Sequence, residues 1–192
     1  MMVRPVHTHL IIMALAMGAI SGCSSSTQQA NTSTQPANTS TQPANTSINT
    51  VQVPLYQEFE AERSVGPNGK SIDASLAGKD YPSSTGMWVG CSGEPATTTY
   101  HLSHKYNRLQ ATAGLQPHTP EQLNVNVTIS GDNRTLEQFA LTKQNPVPVD
   151  VNLNGVDSLV VAAIAVNNQL CGSSGTPYGA LGNAELTEVS GG

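Results

Sequence analysis

A lone tryptophan, Trp88, sits in the glycine-rich stretch Gly86-Met87-Trp88-Val89-Gly90, with Tyr81 seven residues before it and charged side chains at Asp80 and Glu94. Sugar rings present C–H faces that pack on aromatic rings, and their hydroxyls pair with planar charged groups through two-point hydrogen bonds. Trp88, Tyr81 and Tyr178 are therefore candidate stacking platforms for a saccharide, and Arg63, Asp80 and Glu94 are candidate hydrogen-bonding partners. The same residues have a plainer use. A single Trp beside a cysteine serves equally as a core plug, and the charges as surface ion pairs.

Catalysis finds no comparable set. A glycosidase needs two carboxylates at a defined separation, and no Asp or Glu here lies in a motif that would fix one. Ser173-Ser174-Gly175 with His101 or His104 lacks the Gly-x-Ser-x-Gly elbow of a hydrolase nucleophile. His101-x-x-His104 has the spacing of a turn, not of two ligands along a strand. No catalytic residue and no metal ligand is expected, and a structural calcium ion is the one cofactor left open.

Three cysteines remain to be placed. Cys23 closes the apolar run of residues 10–23, after which the composition turns to Ser, Thr, Asn and Gln. The run is well short of the ~20 residues that span a bilayer as a helix, and small residues precede the Cys as cleavage requires. The segment resembles a bacterial lipoprotein signal peptide with Ile20-Ser21-Gly22-Cys23 as its lipobox. That resemblance implies cleavage before Cys23, a diacylglyceryl group on its sulfur, and an extracytoplasmic protein lipid-anchored to a bacterial membrane. In an oxidising compartment Cys91 and Cys171 are then an even pair, and a disulfide is the expected pairing. It would close a loop of about 80 residues, a constraint of roughly 4–5 kcal/mol in the chain-entropy picture. Two free or metal-binding thiols are the alternative, without a Cys-x-x-Cys or nearby His pair to support zinc.

The net charge is −5, and no basic stripe is available to neutralise phosphates, so nucleic acid is not an expected partner. Residues 30–50 repeat Ala-Asn-Thr-Ser-Thr-Gln-Pro, with almost nothing to bury and no charge. Such a segment cannot offset its ordering entropy and reads as a disordered tether, with an end-to-end distance on the order of 30 Å for residues 24–50. Three segments follow: a signal peptide over 1–22, a lipidated Cys with its linker over 23–50, and a folded domain over 51–192.

From residue 51 the pattern is that of strands. Leu109, Ala111, Ala113 and Leu115 alternate with polar residues, as do Leu123, Val125, Val127 and Ile129, and Val147, Val149, Val151 and Leu153. Period two with one apolar face predicts antiparallel sheet. Residues 159–166 are apolar on both faces, which predicts a central strand. Further strands are expected near 54–62, 71–76, 96–102, 134–141 and 178–189, with turns at Gly131-Asp132-Asn133 and Asn154-Gly155. The Gly-rich segment around Trp88 reads as a loop. Many short strands and no amphipathic helix predict an all-β sandwich.

Several of these segments, in order, resemble the NPCBM/NEW2 family. They are Glu62-Arg63-Ser64, Ser71-Ile72, Gly78-Lys79-Asp80-Tyr81 and Thr98-Thr99-Tyr100-His101-Leu102, which continues to Leu109 and on to Ala113-Gly114-Leu115. Val127-Thr128-Ile129-Ser130-Gly131-Asp132 and Val149-Asp150-Val151-Asn152-Leu153-Asn154-Gly155-Val156 follow in the family's order, and the resemblance covers roughly 55–190. It implies a jelly-roll β-sandwich of the galactose-binding type and a non-catalytic, glycan-binding role. The Glu62-Arg63 pair falls where the family has an acidic residue followed by Arg. Where galactose-binding members carry a Gly- and His-containing segment, this chain has Pro82 to Cys91 and no His. A structural or protein-interaction lipoprotein that uses the same sandwich as a scaffold is the second expectation.

Overall fold

The structure is a computed structural model that describes residues 50–60, 67–91, 93–166, 171, 172 and 174–189. Cys23, Arg63 and the segments expected as signal peptide and linker up to residue 49 lie outside the described residues.

Among the described residues ten strands form two antiparallel sheets: β1 (Gln52–Pro54), β2 (Ser71–Leu76), β3 (Lys79–Met87), β4 (Ala96–His101), β5 (Tyr106–Leu115), β6 (Val125–Gly131), β7 (Arg134–Leu141), β8 (Val147–Asn152), β9 (Ser158–Ala165) and β10 (Gly179–Glu188). One sheet runs β2-β3-β10-β5-β8, with β1 also paired to β10, and the other runs β4-β9-β6-β7. Side chains alternate along β6 and β9, so Val125, Val127 and Ile129 and Leu159, Val161 and Ala163 point inward. They meet Leu109, Ala113, Val149, Val151, Leu181 and Leu186 from the facing sheet in one shared core. From β3 to β10 the chain crosses to the other sheet at every step except β6 to β7, as in a jelly roll.

Two segments differ from the sequence reading. Residues 54–62 were expected as a strand, but Leu55–Glu58 form a 3₁₀ turn, after which only Phe59 bridges to Tyr100 and the Glu60 N–H donates to the Thr99 carbonyl. Residues 82–87, where no strand is expected from sequence, belong to β3. Their side chains are Pro, Ser, Ser, Thr, Gly and Met, of which the last four are buried. Small polar residues carry no apolar alternation, so the strand left no periodic signal.

β3 pairs with β10 only at residues 85–87, opposite Leu181, Ala180 and Gly179. Before that it leaves β10, and the β2–β3 hairpin lies across the outer face of the sheet. Ala74, Leu76, Tyr81 and Ala180 make a second, smaller core there. Two glycines allow the close approach: a Cβ on Gly182 would stand 2.6 Å from the Tyr81 ring, and one on Gly114 would stand 3.1 Å from Leu76.

Strand registers fix which loops share an end. Met87, Gly179 and Leu115 lie level with one another, so residues 88–91, 93–95, 116–124 and 174–178 gather at one end of the sandwich. The turns at 102–105, 132–133 and 153–157 gather at the opposite end. At Asp132 and Asn133 φ is +48° and +64°, the positive values that a two-residue hairpin turn between β6 and β7 requires.

Candidate functional site

The loop end marked by Cys91 is tied both covalently and by side-chain hydrogen bonds. Cys91 and Cys171 form a disulfide with Cα atoms 5.8 Å apart. The sequence expectation of a bonded pair therefore holds. Around it, buried side chains bond to backbone across long sequence separations. Gln116 Nε2 donates to the Pro177 carbonyl at 2.6 Å, while the Tyr178 carbonyl accepts from the Gln116 N–H at 2.7 Å and from Thr119 Oγ1 at 3.0 Å. The Tyr178 hydroxyl donates to the Gly172 carbonyl at 2.6 Å. Backbone groups in a loop need such partners when water is excluded. Here the partners also hold the loops in one arrangement.

Trp88 emerges at this end, one residue beyond the last residue of β3. Its backbone N–H donates to Asn68 Oδ1 at 2.9 Å, and Asn68 in turn donates from Nδ2 to the Thr97 carbonyl at 3.1 Å. Asn68 is buried, so its amide is a fixed bracket between the two sheets' loops. The Trp88 side chain is half-buried, with Nε1 shut off from solvent and unpartnered among the described residues. Beyond it the backbone turns sharply. The Gly90 N–H donates to the Ala163 carbonyl at 2.9 Å, and a Cβ on Gly90 would collide with the Glu94 carbonyl. Glu94, three residues on from Cys91, is exposed.

Polar side chains cap the same end. His118 is exposed, its ring 5.5 Å from that of Tyr178, and its Nε2 lies 3.2 Å from Thr176 Oγ1, which is 3.4 Å from Ser174 Oγ. A half-exposed indole, an imidazole, two hydroxyls and a carboxylate on rigid loops can bind a polyhydroxylated molecule by one stacking contact and several hydrogen bonds. His101 and His104 stand at the opposite end from Ser174, at the close of β4 and in the turn after it, so the serine–histidine constellation considered from sequence is not assembled. Among the described residues no cluster of three or more His, Cys, Asp or Glu is placed to hold a metal ion.

Residues 35–184 match the profile of the NPCBM/NEW2 domain family. The chain belongs to that family. Its fold is similar to CBM51 from Clostridium perfringens GH95, solved in complex with methyl-galactose, with TM-score 0.53 and 17% identity over 71% of this chain and 99% of that one. It is also similar to a Clostridium perfringens ZmpB structure containing CBM51-2, in complex with GlcNAc, and INT domains, with TM-score 0.53 and 10% identity. That match covers 72% of this chain and 32% of the other. At such identities the likeness speaks for the fold, a galactose-binding-like jelly roll. No curated protein matches the chain by sequence.

Within this NPCBM/NEW2 domain the residues singled out from sequence separate into two groups. Trp88, Glu94 and Tyr178 come together at the disulfide end. Of these, Tyr178 is placed with the core at 7% exposure, where its hydroxyl organises the loop. Tyr81 and Asp80 belong to the β2–β3 hairpin on the outer face. Tyr81 is 6% exposed, with Lys79 Nζ 4.7 Å from its ring centre, and Asp80 is exposed. Asn68, Gln116, His118 and Thr176 were not singled out. Each is an ordinary loop polar residue, and only pairings between loops far apart in sequence bring them to Trp88's end.

Proposed function

We propose that this chain is a non-catalytic, lipid-anchored glycan-binding domain whose saccharide site is the disulfide end, with Trp88 as stacking platform. The half-exposed Trp88 on loops fixed by the Cys91–Cys171 bond and by Gln116, Thr119 and Tyr178 carries this reading. Membership of the NPCBM/NEW2 family supports it, as do the two similar Clostridium perfringens modules, whose structures hold methyl-galactose and GlcNAc. The lipid anchor rests on the lipobox at Ile20-Ser21-Gly22-Cys23, and it puts the domain at the cell envelope, facing envelope or environmental glycans.

One stacking ring and a few hydrogen bonds made in competition with water supply about 4–5 kcal/mol, a Kd on the order of 0.1–1 mM. Many copies held on one membrane make such weak binding useful by avidity. The test is a glycan titration and a thermal melt of the Trp88→Ala protein. Loss of binding with a nearly unchanged melting temperature is expected. A melt displaced as by loss of a buried Trp, about 3–5 kcal/mol, with no sugar response in the parent protein, would overturn the reading in favour of a scaffold role. For the anchor, fatty-acid labelling should mark the parent protein and not Cys23→Ser; equal labelling of both refutes it.

A further inference from the structure

The two edge strands β7 and β8 close opposite sheets on the same side of the sandwich, and a groove of about 640 Å³ opens between them. It lies at the end opposite Trp88. Asn152 faces Arg108, seven residues or about 23 Å along β5 from Leu115, and Arg134 faces Gly131, at the far end of β6 from Val125. A second trough of about 490 Å³ runs on the other side of β8, and the two share Asp150, Asn152 and Asn154.

These walls are held in place. Arg108 grips Asp150 from two nitrogens, Nε to Oδ1 at 2.6 Å and the second amine to Oδ2 at 2.5 Å. Asn152 Oδ1 accepts the Asn154 backbone N–H at 2.9 Å, which leaves the Asn154 side chain uncommitted to that turn. At the head of the groove Asp132 belongs to the hairpin turn of β7, and its Oδ1 accepts the Ser158 N–H at 2.9 Å and, more weakly, the Asp157 N–H. That carboxylate ties the turn before β7 to the turn after β8, and so sets the distance between the two walls.

The lining chooses the ligand class. Arg134 stands with Asp150 and Glu137 in the groove, and Arg108 reaches Asp150 from the neighbouring trough, so cationic groups do not outnumber carboxylates and an anionic ligand gains no net attraction. Asn152 and Asn154 add planar amides on one face of β8. Held planar donors and acceptors suit neighbouring hydroxyls, which they can engage in pairs. No aromatic ring lines the groove, so a ligand would lie in it edge-on, without stacking. The volume falls within the range of small-ligand clefts, ~300–1,000 Å³.

We propose that the β7–β8 groove is a second saccharide site, taking a neutral oligosaccharide by hydrogen bonds alone and making the domain bivalent. Its ligand class rests on the glycan reading of the Trp88 end, but its residues and location do not.

The experiment is a nitrogen-15 NMR titration of the full exported chain with a neutral tetrasaccharide of galactose and N-acetylglucosamine, and in parallel with its sialylated counterpart. The parent should show shifts in the Asn152 and Asn154 side-chain amides with a saturation curve separate from that of the Trp88 indole. Arg134→Ala combined with Asn154→Ala, both at exposed positions, should weaken the groove response at least tenfold and leave the indole response in place. Asn154→Ala alone, which keeps the backbone bond to Asn152, should give an intermediate loss. Trp88→Ala should do the reverse of the double variant. An indole response with silent groove amides overturns the second site and leaves the glycan reading intact. Silence at both places overturns both. Groove shifts that survive the double substitution, or that follow only the sialylated sugar, also overturn the proposal.

Discussion

Tyr81 and Trp88 stand seven residues apart, at the two ends of one strand, and meet opposite fates. Tyr81 lies where β3 has left β10 and crossed the outer face of its sheet, and its ring closes over Gly182 and Ala180. Trp88 lies just past the three residues where β3 is paired into the sheet, at the start of a loop, and keeps part of its ring outside. Nothing in the two local sequences distinguishes a covered ring from a partly open one. The difference is made by what faces each ring: glycines that let a hairpin settle in one case, stapled loops with polar caps in the other. One region is therefore a packing solution, and the other is a surface held open by covalent and hydrogen-bonded ties.

The comparison breaks most visibly at the disulfide. Replacing Cys91 and Cys171 together with Ser should cost up to about 4–5 kcal/mol, the loop-closure value for a separation of 80 residues. Amide exchange should rise first in residues 88–95 and 171–178 while the β2–β3 hairpin stays protected. Equal loosening of both regions would show that they are one cooperative unit. Gly182→Val comes next. Its new Cβ meets the ring and Cβ of Tyr81, which are too near the backbone to swing aside, so a destabilisation of about 1–3 kcal/mol is expected. Sugar binding at Trp88 should be unchanged; an unchanged melt would mean that the hairpin is not seated as described.

The smallest effect is electrostatic and sharpens the contrast from the far end. The N–H groups of Ser158 and Asp157 hold the Asp132 carboxyl below the usual carboxylate range. A carboxylate whose folded pKa is depressed stabilises the protein above its unfolded pKa of about 3.9, and that contribution fades as pH falls through the folded value. Melting temperature should therefore drop less between pH 6 and 3 in Asp132→Asn than in the parent. Parallel curves would remove Asp132 as a clamp.

Much of the sandwich was legible because burial on one face imposes period two. Val125-Val127-Ile129 and Val147-Val149-Val151 read as strands, and residues 159–166, apolar on both faces, overlap β9, which is central in its sheet. β3 was not legible, because Ser84, Thr85 and Gly86 are buried by close backbone approach and not by apolar area. The stretch 54–62 misled for the opposite reason: its apolar residues pack, but around a 3₁₀ turn. Of the disulfide end, the cysteine pair and Trp88 could be singled out by rarity. His118 and Thr176, 58 residues apart, could not, since their meeting depends on the strand register.

β1 is three residues long and buries little, yet it decides how the domain would bear tension. It brings the chain in at the end opposite Trp88, running antiparallel to β10 with Gln52 level with Thr187, and Val51 accepts the Glu188 N–H at 3.0 Å. A pull entering at Val51 and resisted at the Trp88 end runs along the strand axes. The bonds between β1 and β10 are then strained in shear, all at once, and are not peeled apart one at a time. From β10, flanked on both sides, the strain spreads to β3 and β5, while Cys171 passes it through a covalent bond to Cys91 at the start of the other sheet. A domain anchored and gripping as proposed would need such a coupling, and β1, the shortest strand among the described residues, would provide it.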